Sequence, residues 1–245
     1  MDMIALQAKA AELPSLPITD ALGFADRLNE AAILAFSRGQ ARRTVQLLSA
    51  AVAILRTTLM GGEDPASIES LFEAACPTAE EIESLRQQED VHHVTTPELH
   101  QLPDFCKVCD NHVQTLSASP HLLRLRTRGG EAYSRVQDLE LVAAAILFNL
   151  GAVYQSSGQK EDVCIRRQGR ALQIWELCEA WVDMEDERPG FQLCNVVVLA
   201  LRSAIVLLDR QGRADEKALV EERLLSVKRH VYRANSAVCR TATAA

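Results

Sequence analysis

LVAAAILFNLGAVYQSSGQ, residues 141–159, decides how this 245-residue chain folds. Its first fourteen positions are apolar nearly all round, with no charge to mark a solvent face. A helix of that kind cannot bury itself alone and is predicted to lie between other helices rather than on the surface. Ser156, Ser157 and Gly158 then signal a turn, and ALQIWELCEAW (residues 171–181) reads as the helix that folds back from it.

The same device occurs on either side. Between residues 25 and 60, apolar residues recur at spacings of three and four: Leu28, Ala31, Ala32 and Ala35, then, after Gly39, Val45, Leu48, Ala51, Val52 and Leu55. Near the end, NVVVLALRSAIVLLDRQGR (residues 195–213) turns at Gly212 into ALVEERLLSVKRHVY. Three helix, glycine, helix units read as a repeat architecture in which each pair needs a neighbour to cover its apolar face. The expected fold is dominated by α-helix: antiparallel helical pairs with a small β-hairpin inserted in the middle. It divides into a flexible segment over residues 1–18, one helical domain over 19–232 with an acidic insertion at 61–100 and a hairpin insertion at 101–137, and a flexible tail over 233–245.

Leu147, Leu150, Gly151, Tyr154 and Gly158 stand at the spacing of the first helix of a tetratricopeptide repeat, and this unit resembles that family. The resemblance makes Gly151 the point where the partner helix approaches closely. With one residue inserted after the turn, it makes Ala171 the small packing position of the second helix. The first unit is similar through Gly39, Leu48 and Ala51, and the third through Leu201, Ala204, Leu208 and Gly212. The turn glycines are not spaced at the usual period of about 34 residues, so long insertions separate the units. In the order of its parts the chain resembles a group of uncharacterised diatom tetratricopeptide-like proteins, which lends a fold but no activity.

Composition narrows the function. A net charge of −7 and few aromatic residues argue against general nucleic-acid binding, which needs a basic surface and stacking platforms. The N-terminus lacks the cationic and apolar regions of a secretory signal. Seven cysteines, an odd number, several of them inside apolar helical patterns, suit a reducing compartment. The expected location is intracellular and cytoplasmic, with the nucleus left open. The longest apolar runs read as too short for a bilayer or as interrupted by Arg202, so no membrane span is expected.

Residues 61–100 hold ten acidic side chains against Arg86 alone and read as a solvated acidic loop, or as a docking surface for a basic partner. HLLRLRTRGGEAYSRV (residues 121–136) alternates Leu123, Leu125 and Thr127 with Arg124, Arg126 and Arg128 before Gly129-Gly130, the pattern of a β-hairpin. The three arginines can contact an anion or an acidic peptide, or form a solvated face that protects an edge strand.

The window from residue 92 to 112 holds His92, His93, Cys106, Cys109 and His112. A structural zinc site needs four ligands, and only one Cys-x-x-Cys is present. On a strand, Cys106 and Cys109 point to opposite faces; on a helix, Cys109 joins an apolar stripe with Leu102, Phe105, Val113 and Leu116. Packing is therefore the favoured reading, with zinc binding or thiol redox sensing as the alternative. No phosphate loop, dinucleotide motif or metalloprotease motif occurs, and no base or oxyanion hole accompanies a cysteine.

The expectation is a non-enzymatic scaffold without cofactor that binds a peptide or helix of a protein partner in a groove. Repeat geometry points to Asn29, Asn149, Gln155 and Arg202 as its polar residues. A structural subunit of a larger assembly is a further alternative, and self-association is left open.

Overall fold

The computed structural model of the chain describes residues 18–60, 122–125, 136–156, 161–183 and 191–242. Among the described residues there are six helices: α1 (Ile18–Ser37), α2 (Ala41–Met60), α3 (Val136–Ser156), α4 (Glu161–Asp183), α5 (Phe191–Arg210) and α6 (Ala214–Ala242). Apart from residues 122–125, the described part of the protein is all-helical. The acidic stretch at 61–100, the Gly158 turn and the second half of the expected hairpin, with Gly129 and Gly130, lie outside the described residues.

α1 and α2 are amphipathic and pack on each other. Leu22, Ala25, Ala32, Ile33 and Phe36 of α1 are buried, as are Val45, Leu48, Val52 and Leu55 of α2. Their three-and-four spacing places each set on one face of its helix.

The chain reverses between α1 and α2 at Gly39, whose φ is 74°. The amide of Gly39 donates to the carbonyl of Phe36 and that of Gln40 to the carbonyl of Ala35, so two orphan carbonyls at the end of α1 are capped. The α5–α6 turn repeats this at Gly212, φ 69°, with Gly212 donating to Asp209 and Arg213 to Leu208. A left-handed φ is disfavoured for side chains with a Cβ, which is why glycine stands at both places.

α3 is the hub. It packs against α1, α2, α4 and α5, so no face of it is left for water, and every residue from 141 to 154 is buried. That all-round cover is what its apolar sequence requires. Leucines and isoleucines such as Ile146 and Leu150 contribute about 1.5–3 kcal/mol each by leaving water.

The tightest approach is at Gly151, where an added Cβ would lie 2.4 Å from the indole nitrogen of Trp175 on α4. Trp175 is fully buried, donates its N–H to the carbonyl of Phe148 at 3.4 Å and stacks on the Phe148 ring. The close approach expected at Gly151 is thus present, and Ala171 is buried on α4.

Two helices, over Leu139–Ser156 and Gln192–Arg210, are long and apolar enough to cross a membrane, where the sequence runs read as too short or interrupted. Within the fold 83% and 72% of these windows is buried against other parts of the protein, as in core helices. α6 continues past Tyr232 to Ala242, through residues the sequence suggests as a tail.

Candidate functional site

Two asparagines interrupt the apolar faces of α1 and α3. Asn29 and Asn149 both have 0% exposure. A buried amide without partners costs about 1–3 kcal/mol per unsatisfied group, so their bonds must be found inside the protein. They are made to each other and to the main chain of Leu123.

The Asn149 Oδ1 accepts from the Leu123 amide at 2.6 Å, and the Asn149 Nδ2 donates to the Leu123 carbonyl at 2.9 Å. The second hydrogen of that Nδ2 reaches Asn29 Oδ1 at 2.8 Å. Asn29 Nδ2 then donates to the same Leu123 carbonyl at 2.9 Å. One side-chain amide thus reads both backbone groups of a single residue, as a neighbouring β-strand would, and the second amide braces the first.

Residues 122–125 are not helical, and the leucines at 122, 123 and 125 are all fully buried. Arg124, between them, stays partly exposed, with its Nε 3.6 Å from the Glu30 carboxylate of α1. Both side chains of this pair retain partial exposure, 30% and 23%. The pair is an ion pair at that distance rather than a hydrogen bond. Residues 122–125 therefore fill the space between Asn29 of α1 and Asn149 of α3, a groove occupied by a segment of the same chain, with Glu30 beside Arg124 and the three leucines in the common apolar core.

Of the residues expected to line a groove, Asn29 and Asn149 come together there. Gln155 lies six residues beyond Asn149, about 240° further round α3, and is half-buried. Arg202 is half-buried on α5, a helix that packs against α3, α4 and α6. Arg124 faces a carboxylate within its own chain, while Arg126 and Arg128 lie outside the described residues. Leu123 and Glu30 belong to the groove without having been singled out as site residues. Nothing in the Leu/Arg alternation signals that a backbone group of Leu123 would meet an asparagine 94 positions away.

A second concavity, of about 300 Å³, lies between α4, α5 and α6 and is lined by Leu172, Trp175, Leu201, Ala204, Leu208 and Leu219, among others. At its edge Arg223 lies 3.8 Å from Glu176.

His92, His93, Cys106, Cys109 and His112 lie outside the described residues. Among the described residues there is no group of three or more His, Cys, Asp or Glu placed to hold a metal ion. Cys178 and Cys194 are buried free thiols. Burial pushes the Cys178 thiol well up, and its sulfur sits 3.6 Å from the carbonyls of Ala144 and Ile174. A thiol held in that form is a packing group, since the nucleophile is the thiolate.

No family model, no curated protein and no solved structure matches the chain.

Proposed function

We propose that the protein is a tetratricopeptide-like helical scaffold, not an enzyme, that binds an extended segment of a protein partner in the groove between α1 and α3. In this reading its six helices act as three antiparallel pairs, and residues 122–125 begin the inserted hairpin.

One observation carries the proposal: Asn149 pairs with both the N–H and the carbonyl of Leu123. Such a clamp recognises extended backbone of any sequence, while the apolar walls and Glu30 select side chains. Main-chain bonds supplying affinity and side-chain pockets supplying specificity is the general logic by which extended peptides are bound.

The test is a selection of displayed random peptides against the immobilised full chain, followed by fluorescence anisotropy of the winners on Leu122→Ala/Leu125→Ala and on the same chain carrying Asn29→Ala, so that residues 122–125 do not compete. Circular dichroism verifies that the variant is folded. Micromolar binding that weakens by about 10-fold in the variant is expected, because the Asn29 donor to the ligand carbonyl is gone. Peptides that bind both chains equally, or no enriched peptide at all, would refute the reading.

A further inference from the structure

The groove is already filled. Three fully buried leucines and a doubly bonded backbone make residues 122–125 a complete ligand for it. Residues 122–125 are not helical, so what the groove holds is non-helical chain and not a helix of the scaffold.

Resting on the reading above, we infer that residues 122–125 are an intramolecular pseudo-ligand. The external partner is an extended segment of the pattern Leu-Leu-basic-Leu, which must displace them to bind.

The chemistry of the occupant defines the partner. The position equivalent to Leu123 offers its amide and carbonyl to Asn149 and Asn29, so it cannot be proline. The positions equivalent to 122, 123 and 125 enter apolar walls and need aliphatic side chains. The position equivalent to Arg124 projects to the rim beside Glu30 and needs a cation. A partner with a carboxylate there meets like charge.

Tethering also sets the energetics. A segment held on the same chain competes at an effective concentration on the order of millimolar. A free peptide making identical contacts therefore binds the wild type far more weakly than its intrinsic affinity, and any change that loosens the resident segment raises the apparent affinity.

The experiment uses the full chain and a fluorescein-labelled peptide with the sequence of residues 118–128, ASPHLLRLRTR, read by fluorescence anisotropy. Leu122→Ala/Leu125→Ala weakens the resident segment and is expected to bind the peptide at least about 10-fold more tightly than the wild type. Because losing two core leucines can unfold the protein, Arg124→Glu is measured beside it. It leaves the leucines in place and sets like charges against each other at Glu30, and about a 5-fold gain is expected. A third arm reads specificity: a Glu30→Lys chain should prefer a peptide with Glu at the Arg124 position over the original, reversing the order found with Arg124→Glu. A purely structural plug would not produce that reversal.

The inference is overturned if Arg124→Glu is folded and binds the peptide no better than the wild type, whatever becomes of the double alanine variant. It is also overturned if the wild type sediments as a dimer that Leu122→Ala/Leu125→Ala converts to a monomer, which would make a second copy the occupant. If display-selected peptides still bind while this one does not, the scaffold reading stands and only the pseudo-ligand fails. If no peptide of either kind binds, both fail.

Discussion

The first and last helical pairs are made by the same local device and held by different forces. Both reverse at a glycine of φ near 70°, with the same pair of capping hydrogen bonds. Beyond the turn they diverge. The first pair is closed over by residues 122–125, and its asparagine contacts are neutral, short and buried, with the partly exposed Arg124–Glu30 ion pair beside them. Each pair exposes leucine on its outer side, Leu34 of α1 at 51% and Leu219 and Leu225 of α6 at 59% and 51%, but the polar contacts of the last pair include ion pairs in water: Lys217 with Asp209, Arg213 with Glu216, Arg223 with Glu176. The same turn chemistry thus serves a core and a surface. What decides between them is whether another part of the chain arrives to cover the face.

That contrast predicts unequal sensitivity. Asn149→Leu should cost the most, about 3–5 kcal/mol in urea unfolding, because it strands the Leu123 amide and the Asn29 Oδ1 in a dry site. Gln211→Ala, which removes the 2.7 Å contact to Gln168 at the last turn, should cost under about 1 kcal/mol, since water replaces the partner. Equal losses at the two positions would break the distinction between a sealed and a solvated end.

Next in size is Gly151→Ala, expected to destabilise by about 1–3 kcal/mol by driving a methyl into the Trp175 indole. The control has the opposite sign. Gly23 on α1 and Gly169 on α4 have nothing within 4 Å of an added Cβ, so alanine there should stabilise by about 0.5–1 kcal/mol through helix propensity. Thermal melts of the three variants separate a packing glycine from an incidental one.

Gly212→Ala sharpens the comparison of turns. A Cβ there meets nothing, so the whole cost is the left-handed φ, about 1–2 kcal/mol. Gly39→Ala carries the same conformational cost at a buried position, and any excess loss over Gly212→Ala measures the packing of the first pair against its neighbours.

The described helices and the turns at Gly39 and Gly212 were legible in the sequence because their signals are local: apolar spacing across 25–60, and glycine after the amphipathic run. The central position of α3 followed from residues 141–154 having no face fit for water. Asn29 and Asn149 were named from repeat geometry, yet their common partner was not. It is a main-chain group, which no side-chain pattern encodes, and it lies 94 and 26 positions away. Gln155 was expected from repeat geometry, whereas rotation along α3 sets it about 240° from Asn149. The end of α6 was missed because residues 233–242 lose the apolar periodicity while keeping helix-forming alanine and arginine.

The smallest effect concerns charge at the open end. The Asp209 carboxylate, 2.5 Å from Lys217 Nζ, holds that ammonium's pKa above its ordinary value, chiefly through the hydrogen bond, against desolvation that lowers it and with Coulombic help from Asp209 and Glu221. The raised value fixes the sign. The contribution to stability is fully present below the unfolded lysine pKa of about 10.4 and is lost as pH rises through the higher folded value. The stability of the wild type, followed by urea midpoint, should therefore decline across that alkaline window slightly more steeply than that of Asp209→Asn, and the two should run parallel at neutral pH. No such divergence is expected for Asn149→Leu against the wild type, because the groove network has no titrating member. A divergence there would mean that the alkaline decline does not come from the Lys217–Asp209 pair.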